Sequence, residues 1–397
     1  MANNTAVPFP SIALELFETY DSYKVPAITT RRFTQAEFLQ WLHPFDTAAL
    51  YQKTSLGFSG EHRPLFLYTI GNGKTKVMLW SQMHGDESTA TMALLDIFNF
   101  FLNNPKHPVT AAIKESLTLL VFPMVNPDGA ERFMRRTAQG IDMNRDALAL
   151  ETPEARILKE VRDKHQPDFG FNLHDQEPRY TVGTTKKIAA IALLAPAFDE
   201  TRSDNLVRTR AKHLATTFAL AVGQFIPGHI AKWDDSFEPR AFGDNVQRWG
   251  TSTVLVESGG WQNDPEKFFI RKINYVGLLT SLYAIATNQH QHSDTTVYEQ
   301  IPFNTQLACD LIIRRARLKA NDLVPPLHVD IGINFKDIMN PQTHVLEKIA
   351  TVVELGDLRT FVALQEQDAH GAEFDAALAR LDQQFPTEKI HSLLLRP

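Results

Sequence analysis

The sequence predicts an α/β protein, in which a mixed, largely parallel sheet is sandwiched by helices and followed by a smaller, mainly β C-terminal domain. Two observations predict the first part. Short apolar runs at 77–80, 117–121, 169–173 and 253–256 each open into a polar loop, as buried strands of a doubly covered sheet do. Between them lie segments with apolar residues at helical spacing, such as Ala90, Ala93, Leu94, Ile97, Phe98, Phe101 and Leu102, and alternation of the two kinds implies parallel pairing with helices on both faces. A third observation predicts the appended domain. From about residue 290 the character changes to short strand-like runs at 311–313, 329–333 and 352–353, punctuated by Pro325-Pro326 and Asn340-Pro341.

Taken in order, 1–75 mixes short helical patterns, 35–42 among them, with a strand at 64–70. The turn Gly71-Asn72-Gly73 after it suggests a lead-in hairpin to the strand at 77–80. A helix over 88–102 stops at Asn103-Asn104-Pro105. The strand at 117–121 runs into a long loop holding Arg132, Arg135, Arg136, Asp142, Asn144, Arg145 and Asp146, more charge than a simple crossover needs. Thr152 followed by Pro153 starts a helix with a buried stripe of Ile157, Leu158 and Val161. A strand at 168–174, an apolar run at 188–195, a helix over about 204–222 and a strand at 253–257 follow. Asp264-Pro265 opens a long helix, 290–296 reads as a polar linker, and a closing helix is expected near 373–381. The domains expected are therefore 1–290 and 295–397.

Composition narrows the function classes. The 397 residues are ample for a buried core, with 43% hydrophobic and 22% charged residues and a formal net charge of −6. Without a basic excess, no nucleic-acid partner is expected. The single cysteine, Cys309, sits among Leu307, Ala308 and Leu311, which reads as core packing; it excludes an internal disulfide framework and fits a reducing compartment. No basic region precedes an apolar stretch at the start, and no apolar run approaches the roughly 18 residues of a membrane span. A cytoplasmic protein without membrane attachment is the expectation.

The strand ends carry the chemistry. His84 and Glu87 lie three apart on the turn after 77–80, close enough for a ring nitrogen and a carboxylate oxygen to meet one zinc ion. Taken alone, such a pair is also an ordinary surface turn. His174 ends the strand at 168–174 and Glu257 the one at 253–257, so the three strand ends bring two histidines and glutamates to one rim. Two histidines and a glutamate make the ligand set of a catalytic zinc site with an open fourth position. Singly, His174 reads as a satisfied core histidine and Glu257 as a carboxylate paired with a loop arginine; burial of an unpaired carboxylate is costly, which makes the position of Glu257 informative.

The motifs resemble those of the zinc carboxypeptidase family, the M14 metallopeptidases, in the right order over about 60–290. They are His84 with Glu87, the run Asn126-Pro127-Asp128-Gly129, then Met134-Arg135-Arg136-Thr137, Gly140-Ile141-Asp142-Met143-Asn144-Arg145, Asn172-Leu173-His174 and Leu255-Val256-Glu257. The resemblance implies one zinc ion per chain held by His84, Glu87 and His174, with Glu257 as general base and proton shuttle. It makes Arg135 the carbonyl-polarising cation, Asp142 the acceptor of the free N–H of His84, and Asn144 with Arg145 the grip on a substrate's terminal carboxylate. Read without the resemblance, Arg135, Arg136 and Arg145 are a solvated loop surface. Asp146 either reads a substrate amine or pairs with Arg145. The family commonly carries a mobile tyrosine upstream of its catalytic glutamate, and none occurs between His229 and Glu257; Trp233, Phe237 and Phe242 bring no hydroxyl. With Asp146 beside the carboxylate grip, the combination is similar to bacterial branches of the family that act on unusual peptides such as cell-wall peptides.

The expected function is zinc-dependent hydrolysis of a peptide or amide bond with release of a C-terminal residue. Two alternatives remain from the sequence: an amide hydrolase for N-acyl amino acids, like aspartoacylase and succinylglutamate desuccinylase, and a non-catalytic binding module on the same fold. The substrate is accordingly a peptide or an N-acyl amino acid.

Overall fold

The computed structural model describes residues 6–319, 325–339, 346–375, 380–387 and 390. In chain order the elements of the first half are α1 (Phe9–Thr19), α2 (Gln35–Asp46), β1 (Gln52–Phe58), β2 (Pro64–Ile70), β3 (Thr75–Ser81), α3 (Thr89–Asn103), α4 (Pro108–Ser116), β4 (Leu117–Phe122) and α5 (Pro127–Glu131). There follow α6 (Pro153–His165), β5 (Phe169–Asp175), β6 (Thr181–Val182), β7 (Ile191–Leu194), α7 (Leu206–Gly223), β8 (Ile230–Lys232), α8 (Phe242–Arg248), β9 (Ser252–Ser258), α9 (Phe268–Ala286) and α10 (Thr295–Gln300). The chain divides into two compact units, the first comprising Met1–Gln176, Ala190–Ser258 and Glu266–Phe303.

The first unit is built on an eight-stranded sheet in the order β1-β2-β4-β3-β5-β9-β7-β8. The centre, β4-β3-β5-β9, is parallel, while β1, β2 and β7 bring antiparallel pairs toward the flanks. The fold is the mixed α/β arrangement that the alternating pattern predicts. One local expectation fails: Gly71 to Gly73 closes no hairpin, because β4 pairs with both β2 and β3 and lies between them. The hairpin is β1 with β2.

Helices cover the sheet mainly through apolar contacts, with buried polar bonds from Asn274 to Ser258 and between Ser81 and Thr91. Trp80, Phe122 and Phe242 meet in one core cluster, together with Met78, Leu120, Leu158 and Val246. The helices α3 and α7 each pack against α9, and Gly277 is required where α9 meets α7, since a Cβ there would stand 2.4 Å from the Phe218 ring. Thr152 caps α6 by accepting from the Ala155 N–H at 3.2 Å, as its sequence predicts. The stretch around 290–296 is no linker: Gln289–His292 forms a 3₁₀ turn with His290 buried, and Asp294 caps α10. No helix among the described residues is long and apolar enough to cross a membrane.

The second unit, Glu177–Ala189, Gly259–Pro265 and Asn304–Pro397, is mainly β. Its strands are β10 (Asn304–Thr305), which pairs with β6, then β11 (Ala308–Lys319), β12 (Leu327–Met339), β13 (Leu346–Gly356), β14 (Val362–Asp368), β15 (Glu373–Asp375) and β16 (Gln384–Pro386). The larger sheet runs β14-β11-β12-β13-β16, with β15 beside β11, over a core including Ile313, Ile331, Ile333, Val352, Phe374 and Phe385. Cys309 packs with Ile312, Leu358 and Ala363, as core. The closing helix expected near 373–381 is not what its first residues form: Glu373 to Asp375 pair with Arg317 to Lys319, burying Phe374. Residues 376–379 of that expectation, and Asn340-Pro341, lie outside the described residues.

Inside the first unit, Arg271 on α9 reaches Asp96 on α3 through Nε and Nη2 at 2.7 and 2.6 Å, and Asp96 also accepts from the Tyr20 hydroxyl and the Val25 N–H. The pair is sealed from solvent, so removing the cation strands a buried carboxylate. Arg271→Ala is expected to lower stability by about 3–5 kcal/mol, and Asp96→Asn with Arg271→Met together by less than the single change, measured by denaturant unfolding of the purified chain.

Candidate active site

The parallel register of the three central strands assembles the site. Trp80 on β3 stands beside Asn172 on β5, which stands beside Leu255 on β9, and two residues further along the last pair His174 stands opposite Glu257. The turn after β3 is pinned from below. Gln82 takes a left-handed φ of 55°, the Val125 and Asn126 N–H groups donate to the Ser81 and Gln82 carbonyls, and Asn126 Nδ2 donates to the Met83 carbonyl. Gly85 is needed here, since a Cβ would fall 1.9 Å from the Gly129 carbonyl carbon. Thus the Asn126-Pro127-Asp128-Gly129 run supports the turn that presents His84 and Glu87. Its Asn126 also accepts from the Gly129 N–H, and Asp128 takes the Ser59 hydroxyl, the Glu61 N–H and Arg63.

His84, Glu87 and His174 come together, each buried, with one potential ligand atom from each all within 4.8 Å. Nδ1 of His84 lies 2.7 Å from Glu87 Oε1 and Nδ1 of His174 lies 2.7 Å from Glu87 Oε2. On its other side His84 Nε2 is 3.1 Å from Asp142 Oδ1. An ionised carboxylate only accepts, so Nε2 of His84 carries its proton and Nδ1 turns toward Glu87. Burial would push the His84 pKa down, but the charges of Glu87 and Asp142 carry it up to about 9. A proton or a metal cation between Nδ1 and the carboxylate satisfies the same two acceptors, and this N, O, N donor set is one that fits zinc. Burial holds His174 below the ordinary histidine range, the neutral form a metal requires.

Glu257 is 7% exposed, and its Oε2 is buried with no hydrogen-bond partner among the described residues. Burial, and then the charge on Glu87, push its carboxyl well above the usual range. Arg135 lies across the rim, its Nε 3.1 Å from Asp142 Oδ2 and its Nη1 3.2 Å from Glu87 Oε1. Despite partial burial, His84 and Arg135 hold the Asp142 carboxyl far below its ordinary value.

Asn144 and Arg145 sit on the 3₁₀ turn Met143–Arg145, which Asp142 caps. Asn144 Oδ1 accepts from the Phe242 N–H at 2.8 Å, which turns its Nδ2 the other way. Arg145 is 39% exposed and pairs with Glu238 at 3.2 Å, an acid the sequence pattern did not single out. Glu238 is held in turn by Arg240 through two side-chain bonds of 3.0 and 2.9 Å. Asp146 departs from both sequence expectations. It is buried, and its carboxylate accepts from the Glu151 N–H, the Thr152 N–H and the Thr152 hydroxyl, all at 3.0 Å or less. These bonds fix the entry to α6 and leave Asp146 paired with neither Arg145 nor the rim.

Comparison with known proteins agrees with this geometry. Residues 39–175 match the family model for zinc carboxypeptidases, a stretch that includes every residue named above for the site except Glu238, Arg240, Phe242, Leu255 and Glu257. A probable carboxypeptidase 2 from Arthroderma benhamiae is 30% identical over 163 residues, 41% of this chain and 30% of the relative. Carboxypeptidase D of Rattus norvegicus is 27% identical over 138 residues, 30% of this chain and 10% of the relative. The chain thus spans less than a third of the length of these curated relatives. Among solved structures, a metallo-carboxypeptidase from Burkholderia cenocepacia shares the fold with a TM-score of 0.52 at 14% identity, over 65% of this chain and 70% of that one. One from Pseudomonas aeruginosa does so with a TM-score of 0.50 at 16% identity, over 64% and 70%.

Behind Arg145, Asp244 on α8 is buried and accepts from the Glu238 N–H at 3.0 Å. Burial pushes its pKa up to about 7, against about 3.9 in an unfolded chain. The folded form therefore holds this proton more tightly, so the stability gained is full below about pH 4 and is lost as the pH rises through 7. Asp244→Asn, which stays neutral, is expected to gain stability over the wild type as the pH rises from about 4 to about 7 and to gain no more above it, read as the difference in melting temperature at each pH.

Proposed function

We propose that this chain, whose residues 39–175 match the zinc carboxypeptidase family model, hydrolyses peptide bonds and releases a single residue from a free C-terminus. The observation that carries the reading is the buried His84, Glu87 and His174 cluster with the unpartnered carboxylate of Glu257 facing it across the β5–β9 register. The three residues would hold one zinc ion, whose chemistry there is Lewis acidity that draws the pKa of a water down to about 7 and polarises a carbonyl.

The chain's own groups supply the rest. Glu257 takes the proton of the attacking water on its unpaired oxygen and returns it to the leaving amine; its raised pKa suits it to hold that proton between the two steps. Arg135, reaching in over Asp142, offers fixed N–H donors where negative charge develops on the carbonyl oxygen. Asp142 keeps the His84 ring in one tautomer and orientation. Asn144 Nδ2 and the Arg145 guanidinium grip the terminal carboxylate, in competition with Glu238. Asp146 acts on substrate only through the loop it anchors.

A product survey by mass spectrometry tests the reading. The zinc-loaded protein is offered free-acid peptides, their C-terminally amidated twins, cell-wall peptides and N-acyl amino acids. Loss of single terminal residues from free acids alone is expected, whereas cleavage confined to N-acyl amino acids would transfer the site to the amide-hydrolase reading. Two variants separate the roles. Glu257→Gln is expected to lower kcat by about 10²–10⁴-fold while the purified protein keeps its zinc; loss of the metal instead would make Glu257 a ligand. Arg145→Ala is expected to raise KM for free-acid peptides about 10–100-fold with kcat little changed, and an unaltered KM would remove it from the carboxylate grip.

A further inference from the structure

Lys267 breaks three local rules at once. It is the residue before α9, yet it takes a left-handed backbone with φ of 55°, where glycine is favoured. It sets a cation at the positive end of a long helix, where an acid is favoured. It is also 5% exposed, so its charge has been taken out of water. The sequence pattern starts this helix at Asp264-Pro265; the left-handed Lys267 delays it to Phe268. Nothing in α9 itself requires any of this, and strain of this kind persists where the surroundings over-determine it.

What Lys267 reaches explains it. Its Nζ donates to the Ser258 carbonyl at 2.9 Å, pairs with Asp175 Oδ2 at 3.1 Å and lies 3.5 Å from the Gln176 carbonyl. Ser258 follows Glu257 on β9, Asp175 follows His174 as the last residue of β5, and Gln176 comes just after it. The Gln176 N–H donates to the same Ser258 carbonyl, Thr89 at the start of α3 donates to Asp175 Oδ2, and the Asp175 N–H lies 3.2 Å from Glu87 Oε2. One ammonium therefore ties together the ends of the two strands that present His174 and Glu257, just past the residues themselves.

We infer that Lys267 is a positioning residue, which holds His174 and Glu257 at the separation the metal centre requires by tying the ends of β5 and β9. The inference rests on the zinc-hydrolase reading for the effect on turnover, but not for the effect on metal affinity. The test uses the full-length, zinc-loaded chain as wild type, Lys267→Met, and Lys267→Met combined with Asp175→Asn. Zinc affinity is measured by competition with a chromogenic chelator, kcat and KM on a free-acid peptide, and stability by thermal melting.

Loss of the ammonium is expected to weaken zinc binding about 10–100-fold, and to lower kcat on a similar scale with KM little changed. The double variant, which removes the stranded carboxylate, is expected to regain melting temperature without regaining zinc affinity or kcat. Restoration of all three by Asp175→Asn would overturn the inference, since Lys267 would then merely neutralise a buried charge, and so would unchanged zinc affinity in Lys267→Met. Should the single variant fail to fold, the same comparison between the double variant and the wild type decides. A wild type that binds zinc but cleaves no peptide would sink the peptidase reading, and the zinc measurements would still decide the role of Lys267.

Discussion

The register of three parallel strands is the constraint on which the site depends. Because β3, β5 and β9 pair in step, their ends fall on one rim, and the residues that follow them meet. A slip of one residue between β5 and β9 would turn either His174 or Glu257 to the opposite face. The register is held by what lies on both sides of the sheet: Met78, Trp80 and Phe122 pack into the cluster with α6 and α8, while α3 and α9 are joined by the buried Arg271 and Asp96. The third contribution, the turn bearing His84 and Glu87, belongs to no strand, and it is the Gly85 to Gly129 approach that sets its height above the rim.

Bringing these residues together concentrates charge. Glu87, Asp142, Asp175 and Glu257 face one another across the strand ends, while the fixed cations beside them are Arg135 and Lys267. In a site of low polarity such an imbalance must be met by protons or by a bound cation. The raised pKa values of His84 and Glu257 are the proton solution; a divalent ion is the other, and it answers a deficit of two positive charges. The same imbalance supports the proposed proton-carrying role of Glu257, since a buried carboxylate whose pKa is raised can hold a proton between two steps.

How far the sequence could be read follows from which features are local. The apolar runs that lead to His84, His174 and Glu257 are visible because each strand is buried on both faces and these residues lie at or just past its end, where polarity resumes abruptly. The Asn126 to Gly129 motif was visible as a pattern, but its purpose, a backbone close-packed beneath another turn, needs both turns in place. Pairing partners were not visible. The hairpin expected around Gly71 to Gly73 failed because β4, nearly fifty residues on, inserts between β2 and β3, and no local signal carries that order. A closing helix is expected near 373–381, whereas edge pairing with β11 makes 373–375 a strand. Asp146 illustrates a different limit: adjacency to Arg145 in sequence suggested a shared task, yet on a tight turn successive side chains diverge, and Asp146 went to the amides of Glu151 and Thr152. Glu238, Asp175 and Lys267 carry no motif, because each acts through a partner brought near by the fold.

Burial divides the site by task. His84 and His174 are 2% exposed and Glu257 7%, while Arg135 and Arg145 are 43% and 39% exposed. Groups that bind a metal or move a proton gain from a low dielectric, which strengthens their electrostatics and fixes their geometry. Groups that must first meet a charged substrate in water gain from standing in it, and pay for that access with weaker, screened attraction. Glu238 lies at the boundary between the two. Glu238 holds the Nε side of Arg145, the Arg145 Nη1 donates to the Asn144 carbonyl at 2.8 Å, and Asn144 Oδ1 is fixed to the Phe242 amide, so the proposed carboxylate grip falls to Nη2 of Arg145 and Nδ2 of Asn144. In the proposed grip, a resident carboxylate of this kind sets a threshold: only an anion with better geometry than Glu238, such as a planar terminal carboxylate, gains by taking its place.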